Sequence, residues 1–296
     1  MNNPRSMKAA TGLTSVEFNN LSNLFCDAWY SHESSRKLTL AGNERCRKFG
    51  GGRRSKLKTT NDKLFFILFW FKVYPTLDIM ARIFGMSQPQ AHYWSKRLTP
   101  VLELVMGMKC LLPARYLSTM EEVIAIVPDI HFIVDGTERP ICRPTNGMRK
   151  KAYYSGRKKR YSIKNIIAVQ NRDVVLLGKT CPGSHHDKKC IDNERWSFPT
   201  SAIILAYSGF EAYKNTGVVI THKKRKGFTK RDKRSNRALS KKRIVVEHVI
   251  SGIKRSRIAS DIFTCKNATI VGQNNANCLR ITQLQNSIKI GMKLQI

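Results

Sequence analysis

The stretch Ile130–Ile141, IHFIVDGTERPI, decides the fold of this chain. Its β-branched and aromatic residues lead directly into Asp135, which Gly136 and Thr137 follow. This density of Ile, Phe and Val favours a buried strand, and the Asp-Gly pair favours a sharp end to it. We therefore predict that Asp135 is the last residue of a buried strand, a position that suits a carboxylate holding a metal ion. The alternative is that Asp135 only caps a turn.

The charge of the chain indicates a polyanionic partner. Its 296 residues include 53 Lys and Arg against 20 Asp and Glu, a formal net charge of +33. Because such a charge repels itself unless a polyanion neutralises it, nucleic acid is the expected partner. An anionic membrane surface is the competing interpretation. It is disfavoured because no amphipathic stretch has a clean basic face, Leu64–Val73 is too short to span a bilayer, and the polar Met1–Gly12 gives no secretory signal.

The cysteines indicate a reduced, cytosolic protein. The eight cysteines form no CxxC pair, which is not the pattern of a disulfide framework. Two cysteines and two histidines, Cys181, His185, His186 and Cys190, lie within ten residues. Zinc binding is a minor alternative for this group, since the spacing matches no common zinc pattern.

The chain is predicted to have three regions: 1–58 with an N-terminal helix and a basic linker, 59–112 with a helix-turn-helix, and 121–296 with a catalytic domain. In the first region, apolar residues at helical spacing predict one amphipathic helix; they are Phe18, Leu21, Leu24, Phe25 and Trp29. The basic, glycine-rich stretch Arg47–Lys58 reads as a flexible linker.

The second region is predicted to hold three short helices. Thr59–Asp62 offers N-caps to an apolar helix that ends near Pro75, Thr76 caps Leu77–Phe84, and Ser87 caps a helix that reaches about Val105. Two helices joined by a turn with glycine, here Gly85, form a helix-turn-helix, in which the second helix enters the major groove. The groups predicted to be exposed at its start and to contact DNA are Gln88, Gln90, His92, Ser95 and Lys96.

The third region is predicted to be an α/β domain. Tyr161–Gln170 and Asp173–Thr180 read as strands joined at Asn171-Arg172, and Ala202–Ala206 reads as a buried strand. A helix is expected after Asp187, and a last helix over Ser240–Arg257 turns Val246, Val249, Ile250 and Ile253 to the core. The basic run Arg149–Arg160, RKKAYYSGRKKR, is predicted to contact phosphates through Arg149, Lys150, Arg157, Lys158 and Lys159.

Several motifs of the chain resemble the DDE transposases of insertion sequences, in the branch related to Harbinger-type transposases. The motifs are VDGT at Asp135, YYSGRKK at Tyr153–Lys159, PGSHHD at Pro182–Asp187, SGF at Ser208–Phe210, and Arg243, Glu247 and Lys254 with three and six residues between them. The resemblance covers nearly the whole chain. It implies an RNase H-like mixed sheet flanked by helices, preceded by an all-α helix-turn-helix domain.

The resemblance also implies a catalytic site. Acidic residues of this family converge on two divalent ions, Mg²⁺ or Mn²⁺, and Asp135 and Glu247 match the first and third acids. Two metals suit phosphodiester cleavage because they serve both the attacking and the leaving oxygen. Arg243 and Lys254 are expected near the same helix face as Glu247, placed to hold phosphate. A surface glutamate on a helix is the alternative for Glu247.

The chain departs from the family at the second acid. The family places that acid before a residue-Gly-aromatic turn, and here the position is Tyr207, whose phenol is a poor ligand for Mg²⁺. Asp187 is the nearest candidate replacement, although it follows a different strand. The expected function is therefore a transposase that binds the ends of its element and catalyses metal-dependent cleavage and strand transfer. The alternative is a decayed copy that only binds DNA.

The resemblance finally implies partners and a location. The partners are double-stranded DNA, both the terminal repeats and the target, and further copies of the chain assembled on that DNA, with no membrane. The expected location is the bacterial cytoplasm at the nucleoid, or the nucleus if the host is a eukaryote.

Overall fold

The computed structural model describes residues 3–35, 55–108, 131–170, 172–194, 203–206, 218–220 and 229–262. The first five helices form one compact unit, and the strands with the helices around them form a second. Most of the predicted linker Arg47–Lys58 lies outside the described residues, as does Tyr207. Within the described segments, no helix combines the length and apolar character that crossing a bilayer requires.

The helical unit contains α1 (Pro4–Thr11), α2 (Ser15–Ser34), α3 (Thr60–Val73), α4 (Leu77–Ile83) and α5 (Gln88–Met108). The predicted amphipathic helix is confirmed as α2, since Phe18, Leu21, Phe25 and Trp29 are buried. It packs on α3 and α5. The unit therefore has a core of its own, to which α3 contributes large buried side chains such as Phe66 and Phe71.

The predicted N-caps of α3 and α4 are confirmed. The Thr59 hydroxyl accepts the N–H of Asp62 at 3.0 Å, while the Asp62 carboxylate accepts the N–H of Thr59 at 2.8 Å. Thr76 caps α4 by accepting the N–H of Ile79 at 3.4 Å. These reciprocal bonds satisfy amide groups that the first turn of a helix leaves without partners.

The turn between α4 and α5 also has the predicted form. Gly85 takes a left-handed backbone with φ of +62°, which glycine adopts without steric cost. At the start of α5 the Ser87 hydroxyl accepts the N–H of Gln90 at 3.4 Å, and the Gln90 side chain accepts the N–H of Ser87 at 3.1 Å. α5 continues to Met108, slightly beyond the predicted end near Val105.

The second unit is a mixed sheet flanked by helices. Its strands are β1 (His131–Pro140), β2 (Tyr154–Ser155), β3 (Arg160–Gln170), β4 (Asp173–Leu177), β5 (Cys181–Pro182), β6 (Ile203–Leu205) and β7 (Val218–Ile220). Its helices are α6 (Gly147–Tyr153), α7 (Asp187–Glu194) and α8 (Lys230–Lys254), and α9 (Arg257–Ser260) follows them in the chain. The strand order is β2-β3-β1-β6-β7, with β4 and β5 also pairing with β3. The predicted α/β layers are thus confirmed.

The strand β1 does not end at Asp135, so that prediction is wrong. Antiparallel pairing with β3 continues from Asp135 opposite Ile167 to Pro140 opposite Ser162. The Asp-Gly pair makes no turn because β3 holds both residues in the ladder. The strand that ends near Asp135 is β6, which pairs with β1 on its other edge. It runs parallel to β1, and its last residue, Leu205, pairs with Ile133. Asp135 therefore lies just past the end of a neighbouring strand.

Each face of the sheet packs against a different helix. On one face, Val134, Ile166 and Ala168 share a core with Cys190 and Ile191 of α7. On the other, Ile167 and Val169 share a core with Val246 and Ile253 of α8, and Ile133, Val249 and Ile250 pack against it. The residues of the last helix that were predicted to face the core do so. Side chains alternate along a strand, so neighbouring residues of β1 belong to different cores.

The helix α8 begins ten residues before its predicted start. Its first turn is fixed by a capping box in which Thr229 accepts the N–H of Asp232 at 3.1 Å and Asp232 accepts the N–H of Thr229 at 3.3 Å. Asp232 is the one acid in a very basic segment, and it is buried. The first part of this helix was not predicted because Lys230–Arg243 is dominated by basic residues. The Thr-x-x-Asp pattern nevertheless encodes its start.

Candidate active site and DNA-binding surfaces

Asp135 lies on the face of the sheet that α8 covers. It pairs with Ile167, a member of the α8-side core, and its neighbours Val134 and Gly136 pair with residues of the other core. One carboxylate oxygen accepts the N–H of Gly136 at 2.8 Å. Burial raises the pKa of Asp135, and the charges of Asp187 and Glu247 add to that rise. A carboxylate held in this way gains stability from any nearby cation.

The helix α8 brings Arg243 and Glu247 to this carboxylate. Nη2 of Arg243 is 3.8 Å from Oδ2 of Asp135, and the guanidinium is almost completely buried. Glu247 is one turn further along the helix and exposed, near enough for its charge to act on Asp135. The buried Val246 anchors this part of α8 to the sheet. The helix thus places one cation and one carboxylate beside Asp135.

Lys254, near the end of α8, belongs to the same surroundings. Burial lowers the pKa of its ammonium, and the positive charges of Lys158 and Arg160 lower it further, against the opposing effect of Glu138 and Asp135. A buried ammonium near two further cations is stabilised by an additional anion. This cluster is suited to a phosphate group next to the acidic residues.

Asp187 lies on the opposite face of β1 from Asp135. A Cβ atom added to Gly136, which faces the α7 side, would lie 3.0 Å from Oδ1 of Asp187. Asp187 opens α7, and its carboxylate is 2.8 Å from Nζ of Lys164. The two carboxylates therefore lie on opposite faces of β1, although the charge of Asp187 still acts on Asp135.

Lys164 neutralises the acidic group on that second face. Its ammonium is also 3.6 Å from Oε1 of Glu138, which pairs with Lys164 across the two strands. Burial alone would lower the pKa of Lys164, but the hydrogen bond and charge of Asp187, with the charge of Glu138, raise it. The Glu138 carboxylate accepts a further bond from the Ser162 hydroxyl at 3.0 Å. Lys164 and Ser162 thus already contact these carboxylates on the α7 face.

The strand β6 ends two residues before Tyr207, the residue predicted at the position of the family's second acid. Leu205 pairs with Ile133, two residues before Asp135, and Tyr207 follows Leu205 by two residues in the chain. Tyr207 itself lies outside the described residues. Ala206, immediately before it, is buried in the α7-side core.

The donors around Asp135 fit the divalent ion that the family resemblance implies. Asp135 and Glu247 offer hard carboxylate oxygens, the ligand type that Mg²⁺ and Mn²⁺ prefer. Burial raises the pKa of Asp135 despite the Gly136 N–H and the Arg243 guanidinium, and a bound cation would stabilise the ionised form. Asp187 does not share this fit, because its charge is matched by Lys164.

The predicted DNA-contacting residues of α5 are exposed with one exception. Gln88, Gln90, His92 and Lys96 are exposed. Ser95 is buried, and its hydroxyl donates to the carbonyl oxygen of His92 at 2.9 Å, so the prediction that it is exposed is wrong. Residue 95 falls on the same helix face as the buried Ala91 and Leu98.

The exposed residues of α5 are not equivalent. Gln88, His92 and Lys96 follow one another at intervals of four along one face, with the exposed Tyr93 beside them. Gln90 already uses its side-chain oxygen in the cap of the helix. Arg97 is held by the buried Glu33, with Nε donating at 2.8 Å, and it stacks on Trp94. We define the α5 surface as Gln88, His92, Tyr93 and Lys96. It lies on a helix that the Arg97–Glu33 ion pair joins to α2.

The basic run around Tyr153 forms a short helix and a hairpin turn. Arg149 on α6 is exposed and Lys150 is half-buried, and the turn carries the exposed Arg157, Lys158 and Lys159. The Ser155 hydroxyl accepts the N–H of Lys158 at 3.3 Å. The structure brings Lys158 close to Lys254, so the turn extends the cationic cluster beside Asp135.

Sequence reasoning missed one group of residues and treated a second only as a minor alternative. Glu138 and Lys164 carried no recognisable motif, and only the antiparallel register of β1 and β3 makes them neighbours. Cys181, His185 and Cys190 matched no common spacing, yet their ligand atoms lie within 4.8 Å of one another. The available signal was the alternation of side chains along β1. It places Asp135 on one face of the sheet and Gly136 and Glu138 on the other.

Comparison with known proteins identifies both units. Residues 134–283 match the family model described as DDE superfamily endonuclease, and residues 55–107 match the model for the helix-turn-helix of DDE superfamily endonuclease. The chain is 26% identical over 217 residues to a probable transposase for insertion sequence element IS702 of Microchaete diplosiphon, covering 71% of this chain and 75% of that protein. No solved structure matches. The α/β unit thus has the RNase H-like fold, and the chain belongs to the DDE superfamily of endonucleases, with the family's helix-turn-helix domain before the catalytic one.

Proposed function

We propose that this chain is the transposase of its own insertion sequence, binding the ends of that element for metal-dependent cleavage and strand transfer. The observation that carries this proposal is the grouping of Asp135, Arg243 and Glu247 on one face of the sheet, with Lys254 near them. DDE superfamily endonucleases use divalent metal ions, and the two carboxylates are hard oxygen ligands suited to them. The ions we propose are Mg²⁺ or Mn²⁺, two of them in a complete site.

The residues of the site have separate roles in this proposal. When bound, the metal ions supply the Lewis acidity that activates the attacking oxygen and stabilises the leaving oxygen. Asp135 and Glu247 hold them. Arg243 keeps the Asp135 carboxylate ionised and oriented, because it is a fixed cation at 3.8 Å. Lys254, together with Lys158 and Arg160, binds the phosphate backbone next to the scissile bond.

A second candidate function is a decayed copy that binds DNA but cleaves it poorly. Two observations favour it for the chain as written. By the family resemblance, Tyr207 stands at the position of the second acid, and a phenol with a pKa of about 10 is a poor ligand for Mg²⁺. Asp187 does not make up for the loss, because it lies on the other face of β1 and is paired with Lys164. Both candidates share the binding of element ends.

The proposal assigns base reading to the α5 surface and phosphate contacts to the basic residues. Glutamine pairs bidentately with adenine, and one such contact is worth about 1–3 kcal/mol of discrimination. Lysine and arginine contacts carry no sequence information but make binding salt-dependent, with a log–log slope of about −0.9 per phosphate. The proposed partners are the terminal repeats and target DNA, with copies of the chain assembling on them.

The test compares fluorescence-anisotropy binding to a terminal repeat and to a scrambled duplex of equal length, over a series of salt concentrations. Gln88→Ala should reduce the preference for the repeat and leave the scrambled duplex nearly unaffected. Lys158→Ala should weaken binding to both duplexes and make the slope shallower by about 0.9. The helix content of each variant, measured by circular dichroism, is the control for helix integrity.

Two results would contradict the proposal. Equal loss on both duplexes after Gln88→Ala would show that α5 does not read bases. A flat salt dependence for the unaltered chain would show that phosphate contacts do not dominate its binding.

A further inference from the structure

A group of soft metal ligands lies on the α7 side of the sheet, on the far side of β1 from the Asp135 carboxylate. The Sγ atoms of Cys181 and Cys190 and a ring nitrogen of His185 all lie within 4.8 Å of one another. Both cysteines are buried and reduced, and Cys190 has no exposed surface. His186, the fourth residue of the sequence cluster, is exposed, and its Nδ1 accepts the N–H of Lys188 at 3.4 Å.

The backbone that carries these ligands is fixed at several points. Cys181 pairs with Lys164 in the sheet, and the N–H of Gly183 donates to the carbonyl oxygen of Ser162 at 2.9 Å. A Cβ atom on Gly183 would lie 2.6 Å from that same oxygen, so only glycine fits this close approach. The carbonyl oxygen of His185 accepts a hydrogen bond from Nζ of Lys164 at 2.9 Å. The three ligands therefore converge from a strand, a tight turn and the helix α7.

The imidazole of His185 is prepared for coordination. Its Nδ1 is buried and has no hydrogen-bond partner among the described residues. Burying a ring nitrogen without a hydrogen-bond partner costs free energy, because its hydration is lost and no other bond replaces it. Burial lowers the pKa of His185, and the charges of Lys189 and Lys164 lower it further, which favours the neutral form that binds metals.

We propose that Cys181, His185 and Cys190 bind one zinc ion, with solvent as the fourth ligand. Zn–S and Zn–N bonds of about 2.3 Å and about 2.0 Å place the ligand atoms of a tetrahedral site about 3.5–3.8 Å apart, so little movement is needed. Two thiolates would balance the charge of Zn²⁺. The hydrogen bond with Cys181 and burial raise the pKa of Cys190, so binding of the metal must displace the thiol proton.

The consequence of such a site is structural. Zinc would fasten β5, the turn at Gly183 and the start of α7, and so hold Asp187 against Lys164 and Gly136. The site is distinct from the Asp135 centre in both position and ligand chemistry. Hard oxygen donors suit Mg²⁺ there, and soft thiolates suit Zn²⁺ here.

The test uses the full chain, purified without chelator, with its metal content measured by inductively coupled plasma mass spectrometry. About one zinc per chain is expected. Replacement by Co²⁺ in excess Mg²⁺ should produce thiolate-to-cobalt charge-transfer absorption, which an ion at the Asp135 centre cannot give. His185→Asn and Cys190→Ser should abolish this absorption. His186→Asn and Cys142→Ser, which change an exposed histidine and an exposed cysteine, should retain it.

The outcomes separate the zinc site from its rivals. Substoichiometric zinc with no charge-transfer band would show that the two cysteines only fill the core, and the proposal would be wrong. A Cys181–Cys190 disulfide in the non-reduced protein, detected by peptide mass spectrometry, would equally overturn it. If Cys190→Ser does not fold, the His185→Asn and His186→Asn pair decides, because neither removes a buried core side chain.

Discussion

The two faces of strand β1 carry carboxylates in different electrostatic states. On the α8 face, Asp135 has Arg243 at 3.8 Å, and its pKa is raised by burial with Glu247 contributing. On the α7 face, Glu138 and Asp187 share Lys164, which is 2.8 Å from Asp187. Each face contains a cation, but burial keeps the pKa of Asp135 raised despite Arg243, so a further cation would still stabilise its ionised form. Acids that are close in space thus have different surroundings because strand alternation places them on opposite sides.

The largest expected effect on stability comes from Lys164. Lys164→Met would leave Asp187 and Glu138 without their shared cation in a mostly buried setting, and the free energy of unfolding should fall by about 2–4 kcal/mol. Asp187→Asn should cost less, because Lys164 retains Glu138 at 3.6 Å. Urea denaturation at pH 7 measures both. Equal, negligible losses would show that the ion pair is not structural.

The pH dependence of this ion pair follows from the raised pKa of Lys164. Its folded-state pKa lies above its unfolded value, so its stabilising contribution is complete below the unfolded pKa of about 10.4. The contribution is lost only as the pH rises through the folded-state value. The difference in stability between the unaltered chain and Lys164→Met should therefore persist through neutral pH and shrink in strong alkali.

A smaller effect is expected at Gly136. Its Cβ position lies 3.0 Å from Oδ1 of Asp187, so Gly136→Ala should push Asp187 away from Lys164 at a cost of about 1 kcal/mol. Gly156→Ala is the matched control, since no atom lies within 4 Å of the corresponding Cβ position. Thermal unfolding of the two variants compares them. A Gly136→Ala variant as stable as Gly156→Ala would contradict the close contact with Asp187.

The smallest effect on stability, and of opposite sign, is expected on the α8 face. Burial raises the pKa of Asp135 above its unfolded value, so the ionised carboxylate destabilises the fold at neutral pH. That cost disappears as the pH falls through the folded-state pKa. Asp135→Asn should therefore be as stable as the unaltered chain or slightly more so at pH 7, and show a flatter dependence as the pH falls towards the unfolded pKa of about 3.9. A clear loss of stability would assign Asp135 a structural role.

Much of the fold follows from local patterns in the sequence. The Thr59 and Thr76 caps, the glycine at residue 85 and the apolar spacing of α2 each act within a few residues, and all are confirmed. The turn between β3 and β4 is also local. The start of α8 was missed because a run of lysine and arginine has no apolar periodicity, although Thr229 and Asp232 encode the cap.

The site was less predictable because it depends on register and on which face a residue occupies. Asp135, Arg243, Glu247 and Lys254 were predicted from motifs, and the structure places them near one another. The end of β1 was wrong because an Asp-Gly pair signals a turn only where no neighbouring strand holds it. The pairing of Lys164 with Glu138 and Asp187 joins residues far apart in the sequence, and no local pattern predicts it.

The central claim is that the second acid of this centre belongs at residue 207 and that Asp187 serves the opposite face. The most direct measurement is Mg²⁺-dependent cleavage of a duplex carrying the element's own end, by the unaltered chain, Tyr207→Asp, Asp187→Asn and the double variant. Asp135→Asn in the Tyr207→Asp chain is the inactive control, and activities are compared per folded molecule at equal DNA occupancy. The account predicts little cleavage by the unaltered chain, clear cleavage by Tyr207→Asp, and no loss of it when Asp187→Asn is added. Strong cleavage by the unaltered chain that Asp187→Asn abolishes, with DNA binding intact, would contradict it.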